Sequence, residues 1–177
     1  MDFKGLKLIR LNSETIILPF DCGDTDLNGF LFDDAKNYCR DLMAVTYIIQ
    51  SENETVAYFN YQNDKISHTD IDGDVDKFFA RVGVYLPKGK SDKKSYPAVK
   101  IGRLGVHKDY QNKKIGKAIL DYTKDNFVSN NKTGCKFIVV DAYKNSVKFY
   151  ENNGFKCLSS RDRKSDTRLM YFNLEAI

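Results

Sequence analysis

A short segment in the second half of the sequence carries residue types that could bind a phosphate. Residues 99–106 have the pattern of a strand, and the apolar spacing from Ile115 onward predicts a helix. A loop that opens a helix presents free backbone N–H groups, and the helix dipole adds partial positive charge. Gly116 lets a ligand approach the backbone, and three nearby lysines add full charges. The segment is a candidate phosphate site, although an ordinary solvated first turn has the same composition.

A second segment places an amide and a phenol after another predicted strand. Residues 137–140 are continuously apolar, which is typical of a strand buried on both faces. Asn145 or Ser146 can then cap a short helix through Tyr150, and Gly154 suits the C′ position of that helix. Asn145 would therefore lie at the mouth of the sheet. Tyr150 could equally be a core aromatic whose hydroxyl reaches the rim.

The remaining sequence predicts a mixed α/β chain. Helices are predicted from Asp24 or Thr25 onward, at residues 77–82 and after residue 114. A turn-prone segment at residues 51–53 predicts a hairpin. Short apolar stretches predict strands at residues 6–9, 14–18, 44–49, 55–59, 99–106, 137–140, 155–158 and 168–174.

Length and pattern together favour one domain. The chain has 177 residues, with no internal repeat and no low-complexity linker. Residues 64–96 have the least regular pattern, with aspartates in the first half and lysines in the second, so we expect an irregular charged excursion there. The expectation is a single domain over residues 1–177 that includes this excursion.

Composition excludes several classes of protein. With 42% hydrophobic residues, 12 Phe and 11 Tyr, the chain can form a core and is neither a disordered tail nor a disulfide scaffold. No apolar run approaches the roughly 18 residues of a membrane span, and no secretory signal precedes the first strand. The net charge of +4 is compatible with an anionic partner without identifying one. We expect a cytoplasmic protein without a membrane partner.

Three further features have structural interpretations. The four cysteines are widely spaced and only two histidines are present, so we expect reduced thiols and no zinc site, with Cys157 packed in a strand. Asp70, Asp72 and Asp74 begin like a calcium loop, but Val75 and Arg81 occupy the positions of the required Gly and Glu. A lone histidine after a strand, His107, is expected to cap the following loop.

The two candidate segments together resemble the GNAT superfamily of N-acetyltransferases. The resemblance covers most of the chain, from about the first helix to Phe155. It implies an α/β (α+β) fold, a GNAT-like single domain with a mixed central sheet that is splayed between its two central strands and flanked by helices. The residues that carry the resemblance are, in order, Leu104-Gly105-Val106, the loop from Gln111 to Gly116, Asn145, Phe149-Tyr150 and Gly154-Phe155.

The resemblance implies acetyl-CoA as cosubstrate and no metal. Acetyl-CoA would lie in the gap between the strands at residues 99–106 and 137–140, with Asn145 bound to the pantetheine arm. Backbone groups of Leu104, Gly105 and Val106 would bind the pantetheine and polarise the thioester carbonyl. The pyrophosphate would be held by Gln111, Asn112, Lys113, Lys114, Ile115, Gly116 and Lys117.

The implied chemistry is direct transfer of an acetyl group to a primary amine. A neutral amine attacks the thioester, a tetrahedral oxyanion forms, and the CoA thiolate leaves. Tyr150 matches the tyrosine that serves this family as the general acid, and it would protonate the thiolate. No side chain of the sequence stands out as a general base.

One position departs from the family's pattern. The phosphate loop of the family reads Gln/Arg-x-x-Gly-x-Gly/Ala, and Lys114 stands where the first glycine is expected. A side chain at a position with positive φ costs on the order of 1 kcal/mol. Lys114 could instead add a cation toward the pyrophosphate. A non-catalytic CoA-binding or regulatory module with a damaged loop is therefore the alternative from another functional class.

A narrower resemblance lies near the N-terminus. Residues 20–31 (FDCGDTDLNGFL), Thr46-Tyr47-Ile48 and Ile101-Gly102-Arg103-Leu104 are similar to the toxin branch of the GNATs. Members of that branch acetylate the amino group of aminoacyl-tRNA and are paired with a small DNA-binding antitoxin. The partners to test are therefore tRNA, an antitoxin-type protein and a second copy of the chain, and the rival acceptors are small-molecule or protein amines. The basic residues that could face tRNA phosphates, or be an ordinary solvated surface, are Lys88, Lys90, Lys93, Lys94, Lys113, Lys114, Arg161, Arg163, Lys164 and Arg168.

Overall fold

The two longest strands, Thr55–Ser67 and Ser95–Val106, are neighbours in one mixed sheet. The computed structural model describes residues 5–71, 75–82, 95–129 and 133–177. Its strands are β1 (Lys7–Arg10), β2 (Val45–Gln50), β3 (Thr55–Ser67), β4 (Ser95–Val106), β5 (Phe137–Tyr143), β6 (Lys156–Cys157) and β7 (Thr167–Asn173). Within the described residues these seven strands follow the order β1-β2-β3-β4-β5-β7-β6.

Backbone contacts divide the chain into two compact units. The first comprises Met1–Gln62 with Ile101–Asp125, and the second comprises Asn63–Lys100 with Asn126–Ile177. The helices are α1 (Thr25–Gly29), α2 (Ala35–Arg40), α3 (Val75–Val82), α4 (Ile115–Ser129) and α5 (Val147–Asn152), and a π-helical turn, Phe30–Asp34, joins α1 to α2. The single domain over residues 1–177 stays a prediction.

The first unit is built on an antiparallel hairpin, as the turn at residues 51–53 predicts. β2 and β3 pair with Thr46 opposite Asn60 and Ile48 opposite Tyr58, and β1 pairs antiparallel with β2. Because side chains alternate along a strand, these four lie on one face of the sheet. Ile48 and Tyr58 pack there in a cluster with Leu31, so the α1–α2 helical segment covers this face.

Helix α4 covers the opposite face of the same unit. Tyr47 and Phe59 stack on that face with ring centroids 5.4 Å apart, and Phe59 makes an edge contact with Tyr122 of α4. The Tyr61 hydroxyl and the Thr123 hydroxyl form a buried hydrogen bond of 2.8 Å. The first unit is therefore a sheet between two helical layers.

The predicted first helix forms with the predicted cap. The Asp24 carboxylate accepts a hydrogen bond of 3.0 Å from the Leu27 N–H, and Phe30 and Leu31 are buried in the π-helical turn that follows the helix. The π-helical turn between α1 and α2 is a feature that the apolar spacing does not predict. Such turns occur as single insertions in α-helices, frequently near functional sites.

The second unit has β5 at its centre. β5 pairs antiparallel with β7 from Phe137 opposite Asn173 to Tyr143 opposite Thr167, and β7 also pairs with β6. Parallel pairing of β4 with β5 runs from Ala98 opposite Phe137 to Lys100 opposite Val139. A cluster of buried side chains from α3, β4, β5 and β7 forms the core of this unit and includes Phe78, Val82, Tyr96, Phe137, Val139 and Tyr171.

The structure corrects two expectations from the sequence. The strand expected at residues 14–18 does not form within the described residues, because the Gln50 side chain and Thr55 hydrogen-bond to the carbonyls of Ile16, Leu18 and Pro19 instead. The irregular stretch is also shorter than residues 64–96, since β3 continues to Ser67 and β4 already begins at Ser95. The predicted calcium-like residues Asp72 and Asp74 and the lysines at 88, 90, 93 and 94 lie outside the described residues.

The expected helix at residues 77–82 is confirmed and begins at Val75. All four cysteines are free thiols, and burial raises the pKa of Cys22 and of Cys135. Across the described part of the chain, the helices are too short or too polar to cross a bilayer.

Candidate functional site

A capped turn connects β4 to α4 in the first unit. The His107 N–H donates to the Val56 carbonyl at 2.9 Å, and His107 Nδ1 accepts from the Asp109 N–H at 3.2 Å. His107 therefore caps the short 3-10 turn Lys108–Tyr110, which confirms the expectation from the sequence. The imidazole of His107 is buried.

Gln111 fixes the position of the loop. Its side-chain Nε2 donates to the Val106 carbonyl at 3.1 Å and to the Cys22 carbonyl at 2.9 Å. The side chain thus ties the loop to the end of β4 and to the segment before α1. The Gln111 side chain therefore holds the loop in place, and the N–H groups at the start of α4 are the donors that can bind a phosphate.

Lys114 adopts the backbone conformation that glycine would favour. Its φ is +64°, and Asn112 has φ +60°, so both lie in the left-handed region. The lysine at the first glycine position therefore does not prevent the turn; it adopts it at a cost on the order of 1 kcal/mol. The phosphate-loop pattern has glycine at this position, and the positive φ of Lys114 explains that preference.

The first turn of α4 has amides without a hydrogen-bond partner among the described residues. The Ala118 N–H donates to the Lys114 carbonyl at 2.9 Å, which is the first hydrogen bond of the helix. The N–H groups of Ile115, Gly116 and Lys117 therefore lie ahead of the intrahelical ladder. Helix α4 has 15 residues, and its dipole places partial positive charge at these donors.

The lysines near the loop differ in their contacts. Lys113 lies over the Tyr110 ring at 5.0 Å, and Lys117 forms an ion pair with Asp121 at 2.5 Å. Lys114 itself is exposed. These charges surround the first turn of α4 with positive potential, and Lys117 is partly neutralised by its partner.

The end of β4 comes close to aromatic side chains. A Cβ added to Gly105 would lie 2.8 Å from Tyr58 Cε1 and 3.1 Å from Phe20 Cζ, so this glycine permits the close approach. Leu104 and Val106 on either side are half-buried. The backbone of residues 104–106 therefore lies close to these aromatic rings, and the Val106 carbonyl accepts a hydrogen bond from Gln111.

The second unit carries the other predicted site residues. A 3-10 turn, Lys144–Ser146, follows β5, and α5 begins after it with Ser146 as its N-cap residue, although the Ser146 side chain makes no cap hydrogen bond. Asn145 is exposed, and its Oδ1 accepts from the Ser146 hydroxyl at 3.3 Å. The helix ends as predicted, since Gly154 has φ +86° and its N–H donates to Glu151.

Tyr150 is buried in an aromatic environment. Only 6% of the residue is exposed, and its ring makes edge contacts with Phe149 at 5.1 Å and Phe155 at 5.4 Å. This burial raises the pKa of the Tyr150 phenol above its ordinary value of 10.0. A phenol is protonated at neutral pH, which is the form a general acid needs, and the raised pKa makes it a weaker acid.

The basic residues of the second unit are only partly available. Arg163 and Lys164 are exposed, whereas Arg168 is half-buried and pairs with Asp162 at 2.7 Å. Arg161 donates to the Thr69 carbonyl. A cleft of about 450 Å³ includes Arg81, Arg163 and Arg168 in its lining. The Arg168 guanidinium is therefore engaged by Asp162, and it is less available to a polyanion than the exposed Arg163 and Lys164.

A group of possible metal ligands in the described residues already has internal partners. One ligand atom each of Glu54, His107 and Asp109 lies within 4.8 Å of the others. However, His107 Nδ1 accepts from the Asp109 N–H, and Glu54 Oε1 accepts from the Tyr110 hydroxyl at 2.9 Å. The geometry fits a capped loop at least as well as an ion.

The sequence pattern did not indicate that Thr46, Asn60 and Arg103 form a row of polar residues in the first unit. Arg103 lies with its guanidinium carbon 5.2 Å from the centre of the Phe30 ring, and its backbone N–H donates to Asn60 Oδ1 at 2.9 Å. Asn60 is fully buried. The signal was available as an asparagine inside an otherwise apolar and aromatic strand pattern, which is unusual unless the amide has a role.

The described fold and the sequence match a known family. Residues 82–175, which are more than half of the chain, match the acetyltransferase (GNAT) domain family. No curated protein sequence matches the chain significantly.

Solved structures share the fold at low sequence identity. A bacterial toxin is similar with a TM-score of 0.76 and 18% identity, over 97% of this chain and 92% of that chain. A tyrosine-to-phenylalanine mutant of the toxin AtaT, bound to the C-terminus of the antitoxin AtaR and to acetyl-CoA, has a TM-score of 0.71 and 17% identity, over 97% and 95%. AtaT complexed with acetyl-methionyl-tRNAfMet has a TM-score of 0.68 and 17% identity, over 97% and 96%.

These matches confirm the expected mixed α/β fold, in which helices flank a mixed sheet. The family match extends from the end of α3 to the end of β7 and includes the β4–α4 loop and α5. The chain therefore belongs to the GNAT family of acetyltransferases.

Proposed function

We propose that this chain is an N-acetyltransferase that moves an acetyl group from acetyl-CoA to a primary amine. The observation that carries the proposal is the β4–α4 loop, in which the positive φ of Lys114 leads directly into three amides of α4 that precede its intrahelical hydrogen bonds. Anions bind at such helix starts because N–H groups and the helix dipole both point at the ligand. In acetyltransferases of this family, the anion expected at this position is the pyrophosphate of acetyl-CoA.

Residues of the loop and of β4 have separate roles in this proposal. Ile115, Gly116 and Lys117 offer backbone N–H groups to the pyrophosphate, while Asn112, Lys113 and Lys114 line its approach. Gln111 holds the loop in place through its two carbonyl contacts. The backbone of Leu104, Gly105 and Val106 binds the pantetheine arm and polarises the thioester, with Asn145 as a further contact to that arm.

The reaction needs one proton donor. The amine nitrogen forms a bond to the thioester carbon, the C–S bond breaks, and the surplus proton of the amine is lost to solvent. Tyr150 donates a proton to the departing CoA sulfur and is reprotonated from solvent. A phenol is protonated at neutral pH, as the acid must be, while burial raises the pKa of Tyr150 and does not by itself favour proton donation. Asn145 and Tyr150 enter the proposal through the motif order of the family.

We further propose aminoacyl-tRNA as the acceptor. The support is the toxin-like sequence at residues 20–31 and the relative AtaT, which is complexed with acetyl-methionyl-tRNAfMet. The exposed Arg163 and Lys164 can contribute to a surface for RNA phosphates. We also propose an antitoxin-type protein partner, because the relative AtaT forms a complex with the C-terminus of the antitoxin AtaR. A homodimer stays a prediction that the mass of the protein in solution tests.

The test is acetyl transfer from labelled acetyl-CoA, with total aminoacyl-tRNA, spermidine and a lysine-containing peptide offered in separate reactions. We expect label in the tRNA fraction. Mild ester hydrolysis should then release this label as an N-acetyl amino acid. Label in spermidine or peptide alone would show that the acceptor is a different amine, and the proposal of an acetyltransferase would stand. Binding of acetyl-CoA with no transfer to any of the three would favour the non-catalytic module.

Tyr150→Phe is the matched variant for the acid role, because it removes only the hydroxyl from a buried ring. We expect a slower turnover with nearly unchanged affinity for acetyl-CoA. Equal rates for the two proteins would remove Tyr150 from the role of general acid.

A further inference from the structure

A row of buried polar groups crosses β2, β3 and β4 on the face beneath the α1–α2 segment. Thr46 lies opposite Asn60 in the strand register, and Asn60 Oδ1 accepts from the Arg103 N–H at 2.9 Å. Thr46 and Asn60 are fully buried. The row therefore reaches from the interior of the first unit to the backbone of Arg103, next to residues 104–106.

Three atoms of this row lack a hydrogen-bond partner among the described residues. They are Thr46 Oγ1, Asn60 Nδ2 and Arg103 Nε. Each of them can donate a hydrogen bond. An unpaired buried polar atom is costly, so its retention calls for an explanation such as a ligand. A row of unpaired donors is complementary to an oxygen atom that accepts.

Arg103 is held in place without using all of its donors. Its guanidinium lies over the Phe30 ring at 5.2 Å, and Nη1 donates to the Gly102 carbonyl at 3.0 Å. Nε is 3.7 Å from the Asp26 carboxylate, which is an ion pair at a longer distance than a hydrogen bond. The side chain is 38% exposed, so solvent and ligands can reach its outer edge.

Gly102 keeps the strand close to the amides. A Cβ at this position would lie 2.7 Å from Asn60 Oδ1 and 2.7 Å from Gln62 Nε2. Because Asn60 is fully buried, its amide has no room to give way. The contact between Asn60 and the Arg103 backbone thus depends on glycine at position 102, and Asn60 acts as a positioning residue for Arg103.

We propose that Arg103, positioned by Asn60 and Phe30, binds an oxygen atom of the acetyl acceptor. The inference rests on the proposed acetyltransferase function, because Arg103 directly precedes the three residues that are proposed to hold the thioester. The acceptor class is an amine with a neighbouring carbonyl or phosphate oxygen, as at the 3′ end of an aminoacyl-tRNA. A polyamine does not fit, since it offers no oxygen and carries the same charge as arginine.

The planar fork of arginine suits this task. It presents several N–H groups in a fixed geometry and binds carbonyl, carboxylate or phosphate oxygens with short hydrogen bonds. Stacking on Phe30 reduces the freedom that the side chain would lose on binding. The role differs from that of Tyr150, because Arg103 would bind the acceptor and leave the leaving group untouched.

The test compares Arg103→Met with the parent protein. Methionine keeps a long stem over Phe30 and removes every donor, and Arg103→Lys keeps the charge but not the fork. The matched control is Arg40→Met, which removes another arginine that pairs with an aspartate, Asp41, at 2.9 Å. Circular dichroism and thermal unfolding establish that each variant is folded.

The primary readout is equilibrium binding of total aminoacyl-tRNA, with deacylated tRNA and an amino-acid methyl ester as further probes. A hydrogen bond to a charged donor contributes on the order of a 10-fold to 100-fold change in affinity. We expect Arg103→Met to weaken binding of aminoacyl-tRNA by at least about 10-fold, with Arg103→Lys intermediate, Arg40→Met close to the parent and acetyl-CoA affinity unchanged. Loss for the ester as well identifies the carbonyl oxygen, whereas loss for deacylated tRNA identifies a phosphate.

The inference and the proposed function fail in different ways. Equal affinity of parent and Arg103→Met for aminoacyl-tRNA, an equal loss in Arg40→Met, or no binding of these probes by the parent would each overturn the inference. Acetylation of spermidine with the same KM in both proteins would also overturn it and leave the acetyltransferase proposal standing. The binding assay needs no acetyl transfer, so it decides the role of Arg103 even if the protein is not catalytic.

Discussion

The side chain of Gln111 bridges to the carbonyl of Cys22, 89 positions earlier in the chain, with an N···O distance of 2.9 Å. The same nitrogen lies 3.1 Å from the Val106 carbonyl. One amide thus connects the loop before α4, the end of β4 and the segment that leads into α1. The loop that is proposed to hold the pyrophosphate therefore depends on a contact within the first unit.

Gln111→Leu should weaken acetyl-CoA binding by removing this bridge while keeping the size of the side chain. A neutral hydrogen bond contributes roughly 0.5–1.5 kcal/mol, so we expect a rise in Kd of about 2-fold to 13-fold, measured by calorimetry. Asn37→Leu is the control, because Asn37 is an exposed amide that also donates to a backbone carbonyl, that of Asp33. Unchanged affinity in Gln111→Leu would show that the bridge does not organise the loop.

Lys114→Gly should stabilise the protein, because glycine has no penalty at the φ of +64°. We expect the free energy of unfolding to rise by up to about 1 kcal/mol in urea denaturation. If the lysine also attracts the pyrophosphate, the Kd for acetyl-CoA at low salt rises by about 2-fold to 5-fold. Lys114→Asn separates the effects, since asparagine tolerates this conformation but has no charge. A loss of stability in Lys114→Gly would contradict the assignment of strain.

Gly105→Ala should destabilise the protein by overpacking. The added methyl group would lie 2.8 Å from Tyr58, which is fully buried and cannot move away. We expect a loss of about 1–3 kcal/mol in the free energy of unfolding, together with weaker binding of acetyl-CoA. The control is Gly134→Ala, because no atom of the described residues lies within 4 Å of a Cβ at that position. Similar stabilities for the two variants would contradict the close approach.

Alkaline pH should destabilise the protein through its buried tyrosines. Burial raises the pKa of Tyr58, Tyr61 and Tyr150 above the value of 10.0 in the unfolded chain. Above pH 10 the unfolded chain loses these protons while the folded protein keeps them, so stability is full below pH 10 and falls as pH rises. Urea denaturation between pH 9 and about pH 11.5 should show this fall, with a slope of up to about 1.4 kcal/mol per pH unit for each tyrosine.

Tyr150→Phe is the internal check on that pH dependence, because it removes one of the three titrating groups. The fall in stability above pH 10 should become less steep than in the parent protein. An identical slope would contradict the raised pKa of Tyr150.

Local signals in the sequence were sufficient for elements that are fixed by their own residues. Asp24 caps α1, His107 caps the turn after β4, and Gly154 ends α5, as their positions predict. Each of these contacts joins residues a few positions apart, so a short sequence window contains both partners. The order of the motifs likewise allowed the family to be identified.

Contacts between distant residues were beyond the sequence pattern. Residues 14–18 have a strand pattern, but Gln50 and Thr55 hydrogen-bond to their carbonyls and replace strand pairing. The row from Thr46 through Asn60 to Arg103 requires the register of three strands, which periodicity does not give. Positive φ at Lys114 was expected from the family pattern, and its side chain alone would have argued against it.

Calorimetric titration of the purified protein with acetyl-CoA tests the central claim most directly. The account predicts saturable binding with one site per chain, and a rise in the unfolding temperature, since a ligand at 100 times its Kd adds about 2.7 kcal/mol of stability. Gln111→Leu should reduce the affinity in the same titration, while Tyr150→Phe should leave it nearly intact. Absence of saturable binding by the folded parent protein would contradict the account.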